Sequence, residues 1–231
     1  MMPVFIKSKP KLAARKLGLQ VSPRALLQKY RDNERGIAAI EFAIIAPIMI
    51  AMYFGLAEMA SAISVDRKIS HGTNVAGDLS TQQPEIKDDD IEEVLSAALR
   101  VMDIPDIDRV SIDMESFILP AEGDPPQSQG RITVNGSVGN FNQFDATTLD
   151  TKLLNATSGV MVTRVRYKYT PFQLRFFDST ITLQETFLLK PRRSDVVLIQ
   201  DGPGSEITCS ATHYSNVSCT ASNTGAAAAA P

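Results

Sequence analysis

From Phe42 to Ala57 the chain carries 16 consecutive residues without a charge, inside a run from Ile37 to Val65 that contains no Lys, Arg or Asp. Coiled as a helix, 16 residues extend roughly 24 Å at 1.5 Å per residue, a little short of the ~30 Å hydrocarbon core of a bilayer. Adding Ile37 to Ile40 and Met59 to Ile63 completes the span, provided that Glu41 lies near one membrane face or is neutralised. A run of this kind has two homes, a membrane or the interior of a soluble domain. Its length and its basic flank favour the membrane.

Charge divides on either side of that run. Of the 231 residues, the first 36 hold nine basic side chains (Lys7, Lys9, Lys11, Arg15, Lys16, Arg24, Lys29, Arg31 and Arg35) against Asp32 and Glu34, a net +7. The remainder holds 14 basic and 24 acidic residues, a net −10. Only Arg67 and Lys68 follow the run closely, so the excess of positive charge predicts a cytoplasmic N-terminus and export of everything beyond the helix. A secretory signal peptide is the competing reading, but its charged region is usually a few residues long, and Ser61-Ala62-Ile63 is a weak cleavage site. The arm contains Pro3, Pro10 and Pro23 and shows no sustained period, which reads as flexible chain. Leu12 to Leu19 would suit the surface of an anionic membrane as a short basic helix. Without interleaved aromatic residues, the arm is a poor nucleic-acid ligand.

Beyond the membrane segment, Val65, Ile69, Val75, Ala76 and Leu79 keep three- and four-residue spacings, predicting a helical extension over 64–82 ahead of Pro84. Asp88, Asp89 and Asp90 open a second helix that ends near Met102, with Ile91, Val94, Leu95, Ala98 and Leu99 on its apolar face. The acidic triplet lacks the alternating ligands and terminal Glu of a calcium loop, which favours a helix cap over a cation site. The period then changes. Residues 109–119, 131–138, 160–170 and 180–189 alternate apolar and polar side chains as half-buried strands do. Residues 120–130 read as a turn-rich loop, and 141–155 as room for a short helix. The fold class is therefore α+β: a long N-terminal transmembrane helix, then an exported domain over 83–200 in which a helix packs on an antiparallel sheet.

From Pro191 onward regularity fades, and 201–231 reads as a loop-rich tail ending in GAAAAAP. Its Cys209 and Cys219 are the only cysteines; export would let them close a disulfide, and two unpaired thiols are the alternative. Two Cys and two His argue against a rich metal site or an iron–sulfur cluster. The chain has no GxxxxGK[ST], HExxH or Cys-x-x-Cys motif, and neither His71 nor His213 stands in a nucleophile arrangement. Catalysis, a cofactor and a small-molecule substrate are not expected.

The informative positions straddle the start of the apolar run. Gly36 ends the charged arm abruptly, and Glu41 stands five positions into the hydrophobic segment. This order resembles the processing site of type IV-like prepilins, which a membrane-embedded prepilin peptidase cuts after a Gly on the cytoplasmic side. More narrowly, Arg35, Gly36, Ala39, Glu41-Phe42-Ala43, Pro47, Gly55 and Glu58 resemble the N-terminal region of TadE-like proteins, the minor pseudopilins of the tight-adherence (Tad/Flp) pilus. The likeness covers about 45 residues, Arg35 to Ser80. It is loose beyond, at Tyr167 to Pro171 and Glu185 to Arg193.

The resemblance implies a bacterial inner-membrane protein with its exported domain in the periplasm or in the pilus. Its partners would be the prepilin peptidase, the major pilin and other minor pilins, the inner-membrane platform and membrane lipid. It further implies cleavage between Gly36 and Ile37, with Glu41 and Phe42 setting helix register during assembly. Pro47 lacks an N–H and conflicts with the carbonyl of Ala43, which predicts a kink. The alternative is an uncleaved envelope anchor whose exported domain binds a partner.

Overall fold

Hydrophobic periodicity decides most of the architecture. The computed structural model describes residues 36–121, 124–134, 138–150, 153–154, 158–171 and 180–223. The basic arm therefore lies outside the described residues. Helix α1 runs from Ile37 to Ser80 and continues through Pro47, ending four residues short of Pro84. The chain divides within α1, between Met52 and Tyr53, into two units.

In the first unit the described residues are helical and their apolar side chains face outward: Ile40, Phe42, Ile44, Ile48 and Met49 are all exposed. In the second unit α1 changes character. Glu58, Ile69, Thr73, Ala76 and Ser80 are buried on one face at spacings of three, four, seven and eleven.

Helix α2 spans Asp88–Met102. Three aspartates occupy its positive end, and Asp90 accepts a hydrogen bond from the N–H of Lys87 at 3.3 Å. It stops at Asp103, whose left-handed backbone (φ 45°) turns its N–H onto the carbonyl of Leu99. A two-residue strand β1 (Glu85–Ile86) precedes α2 and pairs in parallel with β6 (Leu198–Ile199).

The main sheet contains β2 (Val110–Ile118), β3 (Gln127–Val134), β4 (Val160–Tyr169), β5 (Ile181–Leu189), β7 (Ser205–His213) and β8 (Asn216–Asn223). Their spatial order is β5-β4-β2-β3-β7-β8. One face presents Ile112, Met114, Ile132, Val165 and Ile207 to α1 and α2, and these residues share a core with Ile69, Leu95 and Met102. The opposite face carries a smaller core of Phe117, Leu149, Val160 and Val162, beneath the segment that contains the 3-10 turn Ala146–Thr148.

Several expectations need correction. The sheet is mixed, because β3 and β7 pair in parallel while every other pair in it is antiparallel. That pairing needs a long crossover, and β4 and β5 supply it on the far side of the sheet. The tail expected as loop forms β7 and β8: Ile207, Cys209 and Ala211 alternate with polar residues opposite Ala221, Cys219 and Val217. Small side chains among many Ser and Thr obscured that alternation. Strand β3 starts at Gln127, inside the expected 120–130 loop. Between 141 and 155 the described residues contain a single 3-10 turn in place of a helix.

Glycine permits two close approaches. A Cβ on Gly72 of α1 would stand 2.1 Å from Met102 Cγ and 3.1 Å from the carbonyl oxygen of Ala98, so the two helices meet across a bare backbone. Gly130 has φ +118°, and a Cβ there would strike Ile199, so β3 and β6 depend on glycine for both conformation and space.

Candidate functional site

The sequence features that suggest function lie along α1. Gly36 is exposed and immediately precedes the first helical residue, Ile37. Glu34 and Arg35 fall outside the described residues. Ile37 and Glu41 are four apart in a helix and so occupy the same face one turn apart. Both are exposed, as is Phe42, at 71%. Helix α1 is the one described helix long and apolar enough to cross a membrane, and none of its most apolar 18-residue stretch is buried. Exposed apolar helix of this length is not a water-soluble surface. It fits a membrane anchor.

Glu58 closes the uncharged stretch and is only 7% exposed. Its Oε1 accepts a 2.5 Å hydrogen bond from the Tyr169 hydroxyl, at the end of β4. Burial and the neighbouring carboxylate push the Tyr169 phenol up to about 12, so it remains a donor across the ordinary pH range. The last residue of a central strand is thereby tied to the helix turn that follows the apolar run. In the sequence, Glu58 stands out by its place in the TadE-like resemblance alone. Tyr169 lies 111 positions away, and its one sequence signal was the Tyr167 to Pro171 segment.

A second polar cluster occupies the sheet face remote from the helices. Asp113 on β2 is fully buried, and its carboxylate accepts from Arg131 Nε on β3 at 2.5 Å and from Arg164 on β4, whose Nε is at 2.9 Å. The guanidinium groups reach onward to the carbonyls of Phe141 (2.9 Å) and Asn142 (2.8 Å). Arg164 also stacks against Phe141 and Phe144, with Arg166 4.3 Å from the Phe141 ring centre. The cluster thus pins the 141–144 backbone over the sheet. Beside it, Glu115 has a buried Oε2 without a hydrogen-bond partner, and burial pushes its carboxyl above the usual range against the opposing pull of Ser128. These residues lie under a covering segment, which suits structural support.

Cys209 and Cys219 face each other on β7 and β8 and form a disulfide. The next-door hydrogen bond, Cys219 N–H to Glu92 Oε1 at 2.7 Å, links this hairpin to α2. Among the described residues no group of three or more His, Cys, Asp and Glu side chains converges as metal ligands would.

No curated protein and no solved structure matches the chain. A protein-family model described as TadE-like protein matches residues 36–78. That interval begins at Gly36 and covers nearly all of α1, including Glu41, Phe42, Pro47, Glu58 and Gly72. The likeness to TadE-like proteins is therefore confined to this one segment, the long apolar helix and the residue before it.

Proposed function

We propose that this protein is a minor pseudopilin or assembly factor of a Tad/Flp-type pilus and acts without catalysis. It sits in the inner membrane through Ile37 to Ile63, with its N-terminus cytoplasmic and the sheet domain on the exported side. The observation that carries this reading is a coincidence of position: the TadE-like match falls on the helix whose most apolar stretch is unburied.

A prepilin peptidase cutting after Gly36 would leave a new ammonium on Ile37. A carboxylate alone in hydrocarbon costs several kcal/mol, so Glu41 needs a cation or a proton there. The Ile37 terminus, on the same chain or on a neighbour, supplies the cation and sets axial register as one helix is laid beside another. Pro47 removes one helical hydrogen bond and loosens the rod where it must leave the bilayer. Phe42 and its apolar neighbours then exchange lipid for the helices of the major pilin, other minor pilins and the membrane platform.

Glu41→Ala and Glu41→Gln test the assignment. Both should leave the protein in membranes and reduce its recovery with sheared pili. Unchanged recovery of both variants refutes the pairing role.

A further inference from the structure

An open sheet has two edges, and each is a row of backbone N–H and C=O groups that another strand can pair with. Here the edges are β5 and β8. Followed through the pairings, β5, β2 and β8 run one way and β4, β3 and β7 the other. A second copy translated along the sheet would therefore set its β8 parallel to β5, with the helix-covered faces of both copies on one side. Such a contact joins two different surfaces and leaves a free edge at each end, so it would repeat without closing. Two glutamates stand in its way.

At the β8 edge the obstacle comes from α2. The Cα atoms of Cys209 and Cys219 are 4.0 Å apart, the close spacing of a pair that exchanges no ladder hydrogen bonds, so the Cys219 N–H points out of the sheet. Glu92 Oε1 accepts it at 2.7 Å. The side chain thus occupies a donor that an incoming strand would need, near the middle of Asn216–Asn223. Asp89, Glu92 and Glu93 line the groove between α2 and this hairpin, with Arg100 as its one base, so the border is negative.

The β5 edge carries its obstacle within the strand. Among the described residues no hydrogen bond from outside the sheet reaches the Ile181–Leu189 backbone. Ile181 and Leu188 are exposed, which makes this a long edge with apolar side chains on both faces. Glu185 interrupts it at the centre. It stands opposite the core residue Val165, and so on the helix-covered face, half-buried and with no hydrogen bond or ion pair among the described residues. In a β5-to-β8 contact its carboxylate would enter the row of Val217, Cys219 and Ala221, beside Glu92. In a symmetric antiparallel β5-to-β5 contact centred on it, two copies of Glu185 would face each other. Burying an unpaired carboxylate and setting like charges opposite one another are both unfavourable.

We infer that Glu92 and Glu185 close an interface between copies of this chain, β5 against β8, that the strand directions otherwise allow. Glu92 withholds a backbone donor, and Glu185 brings a charge that the contact cannot pair. The inference concerns the sheet alone and is independent of membrane anchoring, leader cleavage and pilus assembly.

The test uses the full chain in detergent micelles. Light scattering after size exclusion gives mass against protein concentration, and hydrogen exchange reads the amides of 181–189 and 216–223. Association through α1 is common to all variants and sets the baseline. Glu92→Ala combined with Glu185→Thr should self-associate about tenfold more tightly than the wild type, because no unpaired charge is then buried, and should gain protection in both strands. Glu185→Thr alone, which leaves the Glu92 contact in place, should raise association by a smaller factor. Glu92→Gln keeps an acceptor for Cys219 and should match the wild type. Circular dichroism identifies the folded variants, and if the double variant fails that check, Glu185→Thr decides by the same readings. Unchanged mass in the folded variants overturns the inference. So does association without new protection in both strands, or a wild type whose edge amides are already protected and lose that protection on dilution.

Discussion

Replacing Asp113 with Ala should be among the most damaging single changes in the sheet domain. The carboxylate is 1% exposed at its side chain, and it neutralises Arg131 and Arg164, which are themselves only 19% and 12% exposed. Removing one partner of a buried ion pair strands the other charge and costs about 3–5 kcal/mol. Here two guanidinium groups are stranded, but each retains a carbonyl, on Phe141 or Asn142, and Arg164 retains two aromatic rings. Those contacts place the expected cost near the lower end, about 3 kcal/mol. For a domain of this size that corresponds to a fall in Tm of roughly 6–12 °C. Asp113→Asn keeps the shape and an acceptor, so its cost should be smaller, about 1–3 kcal/mol. Thermal melts of the detergent-solubilised chain, followed by far-ultraviolet circular dichroism and by the near-ultraviolet tyrosine signal, measure both variants. A double-mutant cycle of Asp113→Ala with Arg164→Ala should show strong coupling. Additive effects, or an Asp113→Ala cost under about 1 kcal/mol, would refute the view that this cluster clamps the 141–144 segment to the sheet.

Glu115→Gln should raise Tm at neutral pH, because the native state holds the carboxyl in a site that disfavours its charge. With the folded value raised, the favourable contribution of the protonated acid is present below its unfolded range near 4.5 and is lost as pH rises through the folded value. The gain from Gln should therefore vanish below that range; melts across pH check it. Tyr169→Phe should cost about 1–3 kcal/mol by taking a donor from buried Glu58. In the wild type the same contribution should persist to pH 10 and fade as pH approaches 12, the sign expected for a phenol whose native value is raised. Gly72→Ala should destabilise by about 1–3 kcal/mol, since Met102 must move away from the new methyl and the Ala98 carbonyl restricts its escape. Reducing the Cys209–Cys219 bond should cost about 2–3 kcal/mol on the chain-entropy account, seen as a Tm shift between oxidised and reduced samples.

The sequence made legible whatever depends on local periodicity. The apolar run, the acidic start of α2 and the alternation in β2, β4 and β5 each follow from one segment's own pattern, and their bounds agree closely with the structure. Pairings between distant segments were not legible. Nothing in Ser205–His213 announces a parallel partner in β3, and the alternation of β7 and β8 uses Ala and Cys where larger side chains would have signalled a strand. The site divides in the same way. Gly36, Ile37, Glu41 and Pro47 could be singled out as candidates because the pattern that marks them is order and spacing along one segment. The Glu58–Tyr169 bond and the Asp113 cluster require knowledge of which strand ends meet, and a sequence read linearly holds that only in the pairing of its long-range core.

The central claim is that α1 is a pilin-type membrane helix released from its basic arm by cleavage at Gly36. Intact-mass and N-terminal peptide analysis of the protein extracted from cell membranes tests it directly. The account predicts a chain that starts at Ile37. A membrane-bound chain that still begins at Met1, or a soluble one that begins beyond Ile63, would contradict it.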